Sequence, residues 1–199
     1  NDTEWEKAGY EVASEQIKLS DSAKPVFSLR QGNIDLSETE ESYILRGRKF
    51  EAVFSKKAGN LSSYTLNGVA LISKGMELNV FRAPTDNDKY AYGDWQRKGL
   101  YHMKQEVGNW DVEQADGKII LQVRNIYKGK AGFDFENEVQ YTVVPDGTVL
   151  VNSTIIPSVN GEIIPRIGYR MELPEGFERM RWYGRGPLEN YIDRKDASY

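Results

Sequence analysis

The chain has 199 residues, a net charge of −4, no cysteine and a single histidine. A chain of this length can bury about 70 % of its unfolded surface, enough for a core without metals or disulfides, and the missing thiols exclude cysteine catalysis, thiolate-bound zinc and disulfide bridges. Lysines and arginines are scattered, which argues against nucleic acid as a partner, and no run reaches the roughly 18 apolar residues of a membrane helix, so no membrane partner is expected.

The charged opening Asn1-Asp2-Thr3-Glu4 is not a signal peptide, and the compartment stays open between cytoplasm and periplasm. The stretch YEVASEQIKL alternates and is followed by the polar SDSAK of residues 20–24 and by Pro25. This pattern predicts a strand closing a preceding domain over residues 1–19, a linker over 20–24, and a new domain over 25–199. Both ends are expected to be cuts through a longer protein.

From there a period of two dominates, the pattern of strands with one buried face. Phe50, Ala52 and Phe54 alternate with polar residues; Phe133, Phe135, Val139, Tyr141 and Val143 share one parity, broken only by Asn137; Ile163, Ile167, Tyr169, Met171 and Leu173 repeat the pattern. Asn67-Gly68, Asp116-Gly117 and Pro145-Asp146-Gly147 supply the positive φ of tight hairpin turns. One window differs: Trp95, Leu100 and Met103 behind Gly93-Asp94 predict a short helix capped by Asp94. Many strands with short turns and scarcely any helix predict an all-β fold, antiparallel sheets packed face to face as a β-sandwich.

Two knots of charge interrupt the strands. In FRAPTDND, Pro84 ends the strand, leaving Asp86, Asn87 and Asp88 on a loop at the sheet edge. An extended segment would put Asp86 and Asp88 on one face with Cα atoms about 6.6 Å apart, but a glycosidase pair must flank a sugar from two sides. An EF-hand loop fails because Tyr90 and Ala91 stand where an oxygen ligand and glycine are required. The plainer reading pairs the carboxylates with Arg82 and with turn amides, and no metal site is expected.

In RWYGRGPLENYIDR, Gly184-Arg185-Gly186 is no dinucleotide fingerprint, because Asn190 stands where the motif needs a third glycine. Glu189, Asp193, Arg185 and Arg194 could hold a loop by bidentate ion pairs. Trp182, Tyr183 and Tyr191 offer flat faces that suit a sugar, although a sandwich core accounts for such aromatics better. His102, the single histidine, is read as a loop or helix-end residue.

FRAPTDND, PRIGYRMELP and WYGRGPLENYIDR, in this order and at these separations, resemble the C-terminal non-catalytic part of the large bacterial β-galactosidases among the family-2 glycoside hydrolases. The opening TEWEKAGYEVASEQIKL is similar to the end of the immunoglobulin-like domain that precedes that part. The resemblance implies a galactose-mutarotase-like supersandwich, the small-chain domain, truncated at its C-terminal side. It implies that the parent enzyme hydrolyses terminal β-galactosides such as lactose with retention, on two glutamates in an earlier (β/α)₈ barrel, and that this segment carries no catalytic residue and no cofactor. Magnesium and sodium would belong to the barrel.

What the resemblance carries onto this chain is position. Arg82, Asp86, Asn87 and Asp88, with Tyr90 and Trp95 behind them, match the motif that lies toward the barrel and its active-site mouth. Arg166 falls in the PRIG strand, and Arg185, Glu189, Asn190, Tyr191 and Asp193 fall in the GxGPxENYxDR loop. The implied partners are the other domains of the parent chain, the barrel above all, and the galactoside substrate; a homo-oligomeric parent is left open. Two departures are visible: the segment after Asp88 is compact, and the family chain continues past Tyr199 with a stretch that lends an aromatic residue to the sugar site. Rival readings are a free-standing carbohydrate-binding sandwich using Tyr90, Tyr92, Trp95 or Trp182, and an aldose epimerase, which His102 alone supports poorly.

Overall fold

A computed structural model describes residues 2–11, 17, 19–20, 32–182, 184–186 and 188. The chain divides into two compact units, Ser28–Phe177 and Asn1–Phe27 with Glu178–Tyr199. In the smaller unit, the described residues include an edge-to-face contact of Trp5 and Tyr10 with ring centroids 5.7 Å apart. Of the predicted strand over residues 1–19, residues 2–11 run through bends and a turn, and residues 12–16 and 18 lie outside the described residues.

The described residues of the larger unit form eleven strands. A five-stranded antiparallel meander is formed by β1 (Asp35–Glu38), β2 (Ser42–Arg46), β3 (Phe50–Ser55), β4 (Asn60–Leu66) and β5 (Val69–Ala70). A four-stranded meander is formed by β7 (Lys104–Ala115), β8 (Lys118–Lys128), β9 (Asp134–Val143) and β10 (Val149–Pro157). The third sheet pairs β6 (Lys74–Asn79) with β11 (Gly168–Glu172). The hairpin residues Asn67 and Asp116 sit at φ of 51° and 52°, each followed by a glycine at positive φ, as their sequence predicts.

The alternation of β3 and β9 becomes the core. Leu45, Ala52 and Phe54 of the first meander are fully buried against Ile119, Leu121, Tyr141 and Val143 of the second. Phe54 meets Tyr141 edge-to-face at 5.0 Å. Each of the leucine, isoleucine, valine and phenylalanine side chains among them contributes about 1.5–3 kcal/mol on leaving water. This is the antiparallel β-sandwich that the periodicity predicts. Polar clamps fix how the sheets sit: the Tyr64 hydroxyl donates to the Gly147 carbonyl at 2.5 Å, and Asn125 Nδ2 donates to the Gly59 carbonyl at 3.0 Å. At Gly108 β7 bulges, and a Cβ there would lie 2.6 Å from the Arg124 carbonyl oxygen, so only glycine fits.

Two expectations are corrected. The helix, α1 (Tyr92–Lys98), starts two residues before Asp94, with Ala91 at its N-cap. Asp94 lies inside the first turn and binds Lys98 and Arg97 instead of capping, and Gly99 in the left-handed region ends the helix before Leu100 and Met103. The alternation over residues 163–173 does not bury a face: Ile163, Ile167, Met171 and Leu173 are 72 %, 56 %, 49 % and 48 % exposed, and a bulge lies between Arg170 and Glu172. Of that set Tyr169 turns inward, where its hydroxyl meets Asn137 Oδ1 at 3.0 Å and Ser153 Oγ at 2.7 Å. Among the described residues no helix is long and apolar enough to cross a membrane.

Candidate functional site

The FRAPTDND knot is placed by β6 on one side and α1 on the other. β6 leads into Val80, 3 % exposed, which anchors the segment in a second apolar cluster with Trp95, Leu100, Tyr127, Phe133 and Phe135. Beyond Pro84 the chain turns into a 3₁₀ turn, Asp86–Tyr90, which joins α1 directly. Asp86 and Asp88 are therefore not on an extended segment, and the spacing expected of one does not apply.

Asp88 organises this turn. Its carboxylate accepts from Arg82 Nη1 at 2.6 Å and Nη2 at 3.0 Å, from the Thr85 amide at 2.6 Å and from the Thr85 hydroxyl at 3.0 Å. The bidentate fork of Arg82, helped by the Thr85 amide, pulls the Asp88 pKa down from 3.8 to about 2. Arg82 also lies 5.7 Å over the Trp95 ring. Trp95 is 2 % exposed, so it presents no face for stacking a sugar. Tyr90 is the opposite: 87 % exposed, with Lys89 Nζ 4.8 Å from its ring centre. Asp86 and Asn87 are exposed on the same turn.

A second ion-pair centre lies on α1. Lys98 is buried over the Phe133 ring and binds Asp94 of its own helix and Glu162 of the segment before β11. Burial works to lower the Lys98 pKa, but the two carboxylates outweigh it and leave the ammonium favoured; hydrogen bonding to Lys98 lowers Asp94 in turn. The i,i+4 spacing of Asp94 and Lys98 was legible in the sequence; Glu162, 64 residues away, was not.

Between β6, the segment following α1 and β11 lies a cleft of about 650 Å³, lined among others by Glu77, Arg82, Tyr101, His102, Gln105 and Arg170. Burial pushes the Tyr127 hydroxyl on its wall up to about 12. The His102 ring lies tilted by 45° against that of Tyr101, with centroids 4.3 Å apart. The outer face of the four-stranded sheet carries a shallower depression of about 430 Å³ with Asp111, Gln122, Gln140 and Asn152 in one cross-strand row.

Of the other residues singled out from the sequence, Arg166 is exposed at the approach to β11, and Arg185 is exposed in the smaller unit. Trp182 is 69 % exposed, not a core residue. Glu189, Asn190, Tyr191 and Asp193 lie outside the described residues, as do Tyr183 and Arg194. Among the described residues no three acidic or histidine side chains converge to hold a metal ion.

The sequence also aligns with known proteins. The chain is 32 % identical over 203 residues to a protein named Beta-galactosidase from Priestia megaterium, covering 99 % of this chain and 19 % of that protein. It is 31 % identical to a Beta-galactosidase from Halalkalibacterium halodurans, over 96 % of this chain and 19 % of the relative, and 26 % identical to one from Lactococcus lactis, over 96 % and 20 %. The chain thus spans about one fifth of the length of the curated relatives it matches. The family model described as Beta galactosidase small chain matches residues 46–199, from the end of β2 onward through both charged knots, and the chain belongs to that family.

Proposed function

We propose that this chain is a non-catalytic segment of a β-galactosidase, and that the parent enzyme hydrolyses terminal β-galactosides such as lactose with retention on two carboxylates of a separate barrel. The observation that carries this reading is the pairing of near-complete coverage of this chain with one-fifth coverage of relatives named Beta-galactosidase. The local chemistry agrees with it. A retaining enzyme needs two acids about 5 Å apart on opposite sides of a sugar. Asp86 and Asp88 share one short turn, and Asp88 is committed to Arg82 and Thr85.

In this reading the Arg82–Asp88 fork sets the shape of a turn that faces the barrel's mouth, with Asp86, Asn87 and Tyr90 as the groups offered outward. Magnesium and sodium are assigned to the barrel. Nitrophenyl β-galactoside hydrolysis by the purified 199-residue chain, beside the full-length parent, tests the assignment: the parent turns substrate over and the chain alone is inert. Turnover by the chain alone overturns it.

The exposed Tyr90 favours one alternative, a sugar-binding sandwich in its own right. Titration of the chain with galactose and lactose, read by tryptophan fluorescence with Tyr90→Ala as control, separates the two: saturable binding that Tyr90→Ala abolishes would favour the alternative.

A further inference from the structure

We propose that Lys98, held between Asp94 and Glu162, is a positioning residue of the parent enzyme: it fixes α1, and through α1 the 85–91 turn, on which recognition of the galactoside depends. This rests on the proposed function, in which that turn faces the barrel's mouth. The starting point is the length of α1. It has seven residues, and an isolated helix shorter than about 12–15 residues is marginal in water, so tertiary contacts decide where it sits. Its buried residues are Trp95 and Lys98, which stand three apart and therefore on one face.

The two anchors differ in kind. Trp95 lies in the apolar cluster with Val80, Tyr127 and Phe135, a contact that resists separation but sets no direction. Lys98 sets one. Its ammonium lies 5.0 Å from the Phe133 ring centre and meets carboxylates from two places, Asp94 one turn back on α1 and Glu162 in the segment before β11. Removing an ammonium from water roughly cancels what its partners return, so such a pair adds little net stability. What it adds here is a fixed distance between α1 and the segment over 158–167, whose Ile164 packs on the same cluster.

Two routes carry that position to the turn. Ala91 is the single residue between the 3₁₀ turn and α1: its amide donates to the Asp88 carbonyl at 2.9 Å, and its carbonyl accepts from the Trp95 amide at 3.1 Å. Trp95 also lies beneath Arg82, whose guanidinium grips Asp88. A shift of α1 therefore moves the backbone of the turn together with the fork that shapes it. Asp86, Asn87 and Tyr90, exposed on that turn, move with them.

The test uses the full-length parent carrying Glu162→Gln, Lys98→Met, or Lys98→Met with Asp94→Asn and Glu162→Gln. Glu162→Gln keeps the side chain's shape and removes one charge at a site 37 % exposed, so the fold is retained. In it the amides of Asp88 and Ala91, bonded within the turn, should exchange on the order of 10-fold faster, while those of β3 and β9 keep their rates. KM for lactose should rise about 5-fold in Glu162→Gln and about 10-fold in Lys98→Met, with kcat changed by less than about twofold. The triple variant should keep the raised KM, although neutral partners no longer leave charge unpaired. A merely structural Lys98 gives another pattern: fewer folded molecules lower the apparent kcat and leave KM where it was.

An active parent whose KM stays within about twofold in both Glu162→Gln and Lys98→Met overturns the proposal, whatever the exchange rates. So does a KM that returns to its starting value in the triple variant, which would make unpaired charge the cause and not lost position. Inactivity of the unaltered parent strikes the proposed function instead; the exchange rates of Asp88 and Ala91 then decide whether Lys98 holds the turn.

Discussion

Between the two meanders, Leu45, Phe54, Leu121 and Tyr141 pack carbon against carbon, whereas the layer built from β6, α1 and the approach to β11 buries Lys98 and closes Arg82 on Asp88. The first region depends on removing apolar surface from water and uses no ionised side chain near neutral pH. The second depends on carboxylates that must be ionised and correctly placed, so its structure is conditional. That difference suits the proposed division of labour, in which the sandwich is a platform and the charged layer shapes a surface for another part of the enzyme.

The comparison is most sharply tested in the core. Phe54→Ala removes a fully buried ring that touches Tyr141 and Trp110, and the expected loss is about 3–5 kcal/mol. Urea unfolding should show a lower midpoint at unchanged slope. A loss under about 1 kcal/mol would mean that the sandwich is not the stabilising half.

Lys98→Met comes next. It keeps the apolar contact with Phe133, takes from Glu162 its Lys98 cation and leaves Asp94 with Arg97 alone. Breaking a fully buried pair costs about 3–5 kcal/mol. Here Asp94 is 28 % and Glu162 37 % exposed, so solvent screening reduces the expected loss to about 1–2 kcal/mol. Adding Asp94→Asn and Glu162→Gln should recover part of it. An unchanged midpoint for Lys98→Met would show that the ion pairs merely offset the cost of burying the ammonium.

How far each region could be read in advance follows from the same physics. β3 and β9 were legible because a period-two pattern states which side chains face inward, and the hairpins were legible because Asn67-Gly68 and Asp116-Gly117 answer a local demand for positive φ. The pairing of Arg82 with an acid of its own loop was legible for the same reason: the partners are six residues apart. Lys98 with Glu162, and Tyr169 with Asn137 and Ser153, were not, since pairs so distant in sequence leave no periodic trace. Asn137 did leave a mark, as the one polar break in an apolar parity. The 163–173 alternation misled because periodicity says which side chains share a face, not that the fold buries that face.

Tyr169→Phe measures a smaller polar contribution. The hydroxyl is shared by Asn137, 1 % exposed, and Ser153. Its removal should cost about 1–2 kcal/mol through the unmet amide, and Asn137→Leu on top of it should add less than it does alone. Full additivity of the two would mean that the hydroxyl and the amide do not act together.

The least costly perturbation is acid, and it should act on the charged layer first. The Asp88 pKa is depressed to about 2 by Arg82 and the Thr85 amide. Between 3.8 and 2 the unfolded chain therefore binds the proton more readily than the folded one, so what Asp88 contributes is fully present above 3.8 and is lost as pH falls through 2. The Thr85 amide resonance and the fluorescence of Trp95, which packs beneath Arg82, should shift over that window. Far-UV circular dichroism of the sandwich should lag behind them. Asp94 is also depressed, by Lys98, so the titration is run in Asp94→Asn as well to isolate the Asp88 step. Asp88→Asn should abolish the low-pH step at Thr85 and leave the strands intact. If the step persists unchanged in Asp88→Asn, the turn is held by its packing against α1, and the contrast between an apolar platform and a proton-dependent layer fails at the residue where it is strongest.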